Sequence, residues 1–222
     1  TARGHSPAVS FTEWLDRNRD QVRELAIQHA DLCLTAVVVA GLAGVALGVL
    51  AHRSRLATAA AQAGTSVVFT VPSLALVGLL IPVTGLTRDT VLVMLVLYAL
   101  VPIVRNTIAG LRSVDGAVTE SAVGMGLSRG QRLARIELPL AWPVVVTGIR
   151  VSTQLTVGIA AIAAIVNGPG LGGPIFQGLR ATGTQRGFNL AFSGTVSVAL
   201  LALLFDLLFQ VIARLTTSKG LR

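Results

Sequence analysis

Two ionisable residues stand where ionisation is expensive. Asp206 lies in the apolar run Phe188 to Ala213 and Arg150 in the run Trp142 to Val166. In a bilayer each such charge costs roughly 2.5 to 3.5 kcal/mol on insertion scales unless it has a partner or faces water. Both fall at a similar depth, about 10 to 12 Å from the more basic ends of their runs at a helical rise of about 1.5 Å per residue. Arg105 is comparably placed in a third run. The expectation is that Asp206 pairs with Arg150 or Arg105 and fixes helix positions; a substrate or proton role is the alternative chemistry for the same groups. Other chemistries lack their parts. His5, His29 and His52 are isolated, and neither paired carboxylates nor a serine–histidine arrangement is present, so metal or hydrolytic catalysis lacks convergent groups. Cys33 is the one cysteine, which excludes an internal disulfide or multi-cysteine metal site and reads as a small buried hydrophobe. The glycine-rich stretch Gly168 to Gly173 lacks the G-K-[ST] ending of a phosphate loop. It reads as a tight external turn or re-entrant segment.

The elements that position these residues follow from composition. Hydrophobic residues make up 53% of the 222 and charged ones only 13%, a balance that makes lipid the solvent. The net charge of +8 does not indicate nucleic acid, because the basic residues flank apolar runs instead of gathering on a soluble face. Five runs approach the roughly 20 apolar residues that a spanning helix needs: Leu32 to Ala51, Ala63 to Leu86, Thr90 to Leu111, Trp142 to Val166 and Phe188 to Ala213. None alternates as a barrel strand does, so the fold class is an all-α membrane protein of about five transmembrane helices. Pro72, Pro82 and Pro102 should kink the second and third spans. Gly41, Gly44 and Gly48 give the first a small-residue face for close packing. Ser73, Thr153, Gln154 and Asn167 are candidates for a weakly polar translocation path, with interhelical hydrogen bonding as their other role.

Arginines set the expected orientation. Arg53 and Arg55 follow the first span, Arg112, Arg129, Arg132 and Arg135 the third, and Arg214, Lys219 and Arg222 the fifth; these ends should be cytoplasmic. The N-terminus then lies outside and the C-terminus inside. The expected organisation is an extracytoplasmic segment over residues 1–30 that does not resemble a signal peptide, a membrane domain over 31–214 and a cytoplasmic tail over 215–222. Residues 112–141 form a polar cytoplasmic loop. Asp115 can cap a helix running to about Met125, Gly126 can end it, and Ser128 with Gln131 makes an S-x-x-Q capping box for a second helix that should stop before Pro139. A helical hairpin projecting from a membrane bundle is economically explained by a soluble partner that docks on it.

The residues of that loop carry a resemblance. The stretch ESAVGMGLSRGQRLARIELP from Glu120 to Pro139 resembles the EAA loop of ATP-binding-cassette importer permeases, E-A-A-x-x-x-G followed at a fixed distance by I-x-L-P. Glu120, Ala122, Gly126, Ile136, Leu138 and Pro139 match, Leu127 follows the glycine, and Ser121 replaces the first alanine. The stretches VPSLALVGLLIPVTG, LYALVPIVRNTIAGLRSVD and NGPGLGGPIFQGL look like the osmoprotectant branch, whose members import glycine betaine, choline and carnitine.

The resemblance implies a type I importer fold and a loop that seats in the ATPase subunit. It also implies partners: an ATP-binding-cassette ATPase that holds ATP and magnesium, a second permease subunit, identical or paralogous, and an external solute-binding protein. No cofactor is expected on this chain, and ATP hydrolysis is expected on the partner. Methionine or other amino-acid permeases share the five-span core and remain an alternative branch. A secondary transporter would show inverted repeats, which the sequence lacks; a membrane scaffold would have partners without flux. With 5% aromatic residues, and with Trp14, Trp142 and Tyr98 scattered, no cation–π cage for a quaternary ammonium is legible. Trp142 reads as an interfacial anchor.

Overall fold

The computed structural model describes residues 10–166 and 168–217; Asn167 lies outside them. Nine α-helices appear among these residues: α1 (Phe11–Ala51), α2 (Arg55–Thr70), α3 (Ser73–Thr84), α4 (Arg88–Arg112), α5 (Gly116–Gly124), α6 (Arg129–Arg132), α7 (Leu138–Ile162), α8 (Gly172–Arg180) and α9 (Gln185–Thr216). A π-helical turn, Leu133–Glu137, joins α6 to α7, and a 3-10 turn, Ala163–Val166, follows α7. Four stretches are long and apolar enough to cross a membrane, or five if α2 and α3 make one span.

From Phe11 on, the segment expected before residue 30 runs without a break into the first span, because α1 is a single helix of 41 residues. It starts at a capping box: Ser10 Oγ accepts from the Glu13 amide (3.4 Å) while Ser10 N–H donates to Glu13 Oε2 (3.3 Å). The charged residues that made this segment look separate lie mainly on its exposed side, where they do not oppose a helix. At about 1.5 Å per residue α1 is about 62 Å long.

The second span also differs from the kinked helix expected. Its two halves, α2 and α3, meet at 99°. Val71 is extended (φ −85°, ψ 124°), as a residue before proline prefers, and Pro72 becomes the N-cap of α3. The Tyr98 hydroxyl on α4 donates to the Val71 carbonyl that the break frees. Pro82 and Pro102, by contrast, sit inside continuous helices.

The core forms where α4 packs between α1 and α7, around fully buried Leu32, Met94, Leu95 and Val157. Small residues set those distances. A Cβ on Gly48 would lie 2.6 Å from Thr107, and one on Gly148 would lie 2.7 Å from Asn106 Cβ and 2.9 Å from the Pro102 carbonyl. Gly44 similarly meets Ile103, whereas Gly41 faces open space and so drops out of the expected packing face. α9 turns a row of leucines outward, among them Leu200, Leu203, Leu204 and Leu207.

The glycine-rich turn before α8 is held from within. Gly170 adopts φ +108° and lies directly against His29 of α1. His29 is fully buried; its Nδ1 accepts from Leu171 N–H (3.3 Å) and its Nε2 lies 3.1 Å from the Val157 carbonyl of α7. Because Nδ1 must accept, Nε2 carries the proton and donates. One imidazole thus ties α1, α7 and the turn together.

A pendant helical loop and the charges around it

The chain leaves the bundle at Arg112 and returns at Leu138. Asp115 Oδ1 accepts from Ala117 N–H at 2.8 Å and starts α5. At its end the Leu127 amide bonds the Ala122 carbonyl (3.1 Å) and the Gly126 amide bonds the Val123 carbonyl (2.9 Å), with Gly126 at φ +78°. This is a Schellman termination, whose left-handed residue favours glycine. Ser128 opens α6 with a capping box: Gln131 N–H to Ser128 Oγ at 3.3 Å, and Ser128 N–H to Gln131 Oε1 at 2.9 Å.

The helix that follows does not stop before Pro139. It passes through the π turn, where the Leu138 amide reaches back five residues to the Leu133 carbonyl, and continues as α7. The wider turn restarts the register. Pro139 falls directly after the π turn, in the first turn of α7.

Within the loop Glu120 is exposed, Ser121 Oγ donates to the Ala117 carbonyl (2.8 Å), and Ala122 is fully buried. Leu127, Ile136 and Leu138 are half-buried and Pro139 is exposed. The outer surface is apolar for a hydrophilic segment: Val123 is 55% and Met125 70% exposed.

Beneath the loop three of the orientation-setting arginines, Arg53, Arg112 and Arg132, gather around a carboxylate that the sequence did not single out. Glu137, 5% exposed, accepts from Arg132 Nε at 2.6 Å and from Arg53 Nη2 at 3.3 Å, and His52 Nε2 stands 3.6 Å from its carboxylate. Arg112 Nε donates to the His52 carbonyl (2.9 Å) and its Nη2 to Thr58 Oγ1 (2.8 Å). The ends of α1, α2 and α4 therefore converge on the end of the loop. Glu137 sits in a variable position of I-x-L-P, and Arg53 is 84 residues away; only the fold brings them together.

The charges within the spans separate into two sets. Arg150 on α7 binds Asp206 on α9 through Nε to Oδ1 (2.5 Å) and Nη2 to Oδ2 (2.8 Å). Gln154 and Gln210 add one donor each to the same carboxylate, at 2.6 and 2.8 Å. Arg105 does not take part: its Nη2 donates to Ser66 Oγ on α2 at 2.7 Å. Of the path candidates, Gln154 is exposed beside this pair and Ser73 is half-buried at the start of α3. Thr153 faces the interior, 1% exposed, and its hydroxyl donates to the Ile149 carbonyl. Asn167 lies outside the described residues. Trp142 Nε1 donates to Thr216 Oγ1 at the opposite end of α9 from its cap.

A bundle of apolar helices that closes on small residues and carries a capped helical hairpin at one end defines a multi-pass membrane protein. Residues 40–218 match the family model for the binding-protein-dependent transport system inner membrane component, and the chain belongs to that family. It is 36% identical over 203 residues, 91% of this chain and 89% of the other, to the carnitine transport permease protein OpuCD of Listeria monocytogenes. It is 35% identical over 201 residues, 90% and 86%, to the glycine betaine/carnitine/choline transport system permease protein OpuCD of Bacillus subtilis. Among solved structures it resembles an inward-facing form of the MetNI methionine ABC transporter with a TM-score of 0.80 at 20% identity, over 95% of this chain and 100% of that one. The fold is that of a type I ABC importer permease.

Proposed function

We propose that this chain is the permease subunit of an ATP-driven importer of osmoprotectants, solutes of the glycine betaine, carnitine and choline class. The observation that carries the reading is similarity at about one-third identity along nearly the whole chain to permeases named for those solutes. The likeness to the methionine transporter is one of fold only, at 20% identity. It gives the amino-acid branch less support.

In this reading the loop end of the bundle faces the cytoplasm, in keeping with its arginines. The N-terminus of α1 is outside. An ATP-binding-cassette ATPase, holding ATP and magnesium, docks on Glu120 to Pro139 through the exposed face of Val123 and Met125. Two permease subunits enclose the path, and an external binding protein supplies the solute. ATP binding and hydrolysis shift the pair between inward and outward states; this chain supplies the helices that move and the loop that moves them.

The test is reconstitution. The chain is co-expressed with its cognate ATPase and binding protein, purified as a complex and placed in proteoliposomes holding ATP and magnesium. ATP-dependent accumulation of glycine betaine, carnitine or choline, without accumulation of methionine, is expected. Methionine uptake alone, or copurification of no ATPase, would overturn the reading.

A further inference from the structure

Beyond its covalent start at the end of α4, the loop meets the bundle at two places. One is covalent: α6, the π turn and α7 are continuous. The other is the carboxylate of Glu137, which closes the π turn and is held by Arg53, the second residue beyond α1. A π turn is one of the places where a helix bends, so the covalent route contains a joint. Arg132, before the joint, binds Glu137, at its end, so the ionic route from Arg132 through Glu137 to Arg53 spans the joint.

A buried ion pair is weak evidence for stability, since apolar side chains of similar size often serve as well. What it provides is a directional grip. Glu137 is 5% exposed and engaged by two guanidinium groups, and Arg112 pins the neighbouring ends of α1 and α2 through the His52 carbonyl and Thr58. A displacement of the π turn must then carry the end of α1 with it.

We propose that Glu137 is a positioning residue that transmits movement of the ATPase-docked loop into α1 through Arg53, in parallel with the direct path into α7. The inference rests on the importer reading above. Arg132 lies on the loop's own segment and orients the carboxylate; Arg53 is the group through which the movement leaves.

The experiment uses the whole transporter in proteoliposomes and reads glycine betaine imported per ATP hydrolysed, a ratio that lower yield or stability does not change. Glu137→Gln and Arg53→Met are each expected to lower that ratio about tenfold, within the roughly 5- to 150-fold range of coupling between distant sites. The double variant should be no worse than the more severe single, because both remove one connection. Arg132→Met, which opens the link on the loop's side of the joint, should also lower the ratio. Should Glu137→Gln fail to assemble, Arg53→Met decides alone, since its side chain is 39% exposed and its loss leaves Arg132 on the carboxylate. A wild-type ratio in Arg53→Met, or losses that multiply in the double variant, would overturn the proposal. A wild-type complex that imports nothing with ATP would overturn the functional reading instead, and the proposal with it.

Discussion

Arg150 and Asp206 face each other as a two-pronged pair, guanidinium to carboxylate, linking α7 to α9 inside the apolar layer. Their side chains are 39% and 18% exposed, so the pair is partly screened. Its removal one partner at a time is still asymmetric, because the survivor keeps its charge and loses its counter-ion. Asp206→Asn should lower the thermal midpoint of the purified protein in detergent, and Arg150→Met combined with it should recover part of that loss. A double variant less stable than Asp206→Asn would show that the pair is not the unit that matters.

Gly148 tests the spacing of α4 and α7. Alanine there places a Cβ against backbone, the Pro102 carbonyl, which cannot swing away, and a cost of about 1 to 3 kcal/mol is expected from overpacking. Gly158 is on the same helix with nothing within 4 Å of its added Cβ. Gly158→Ala should be neutral or stabilising, by up to about 1 kcal/mol from helix propensity. Melting curves of the two variants side by side check the contrast.

Gly126 tests the loop through its backbone alone. Its added Cβ would meet nothing, yet its φ is +78°, a region that costs a β-branched residue about 1 to 3 kcal/mol. Gly126→Val should cut transport with little change in the melting of the bundle, and Gly126→Asn should be milder, since asparagine tolerates the left-handed region. Equal activity in Gly126→Val and wild type would mean that the Schellman turn is dispensable.

His29 holds the glycine-rich turn. Leucine in its place strands the Leu171 amide and removes the donor to Val157, a penalty of about 1 to 3 kcal/mol for buried polar groups left unpaired. The turn should loosen before the bundle melts. Hydrogen exchange at the Leu171 amide, faster in His29→Leu than in wild type with the α4 core unchanged, is the measurement; unchanged exchange there would contradict the assignment.

What could be read without coordinates was what is local. Ser128 with Gln131 and Asp115 with its amide act over two or three residues, and their caps occur where the pattern placed them. Ser10 with Glu13 is the same kind of signal at the start of α1, overlooked because the charges that follow suggested a separate segment. The 99° break at Pro72 was underestimated as a kink, since how far a proline bends a helix depends on whether another element, here Tyr98, captures the freed carbonyl. The passage of α7 through Pro139 depended on a π turn that no residue type announces. Arg150 and Asp206 were visible because charge in an apolar run is conspicuous; Glu137 was not, because in a polar loop a carboxylate attracts no notice until Arg53 is seen beside it.

The length of α1 has a mechanical meaning. Its C-terminal end adjoins Arg53, and at its N-terminal end the Phe11 ring meets Phe192 edge-on at 5.0 Å. With no interruption across 41 residues it behaves as a stiff lever arm of about 62 Å. A tilt of about 5° about one end sweeps the other through about 5 Å, so the two faces of the protein can be geared together by one rod, without a relay of side chains between them.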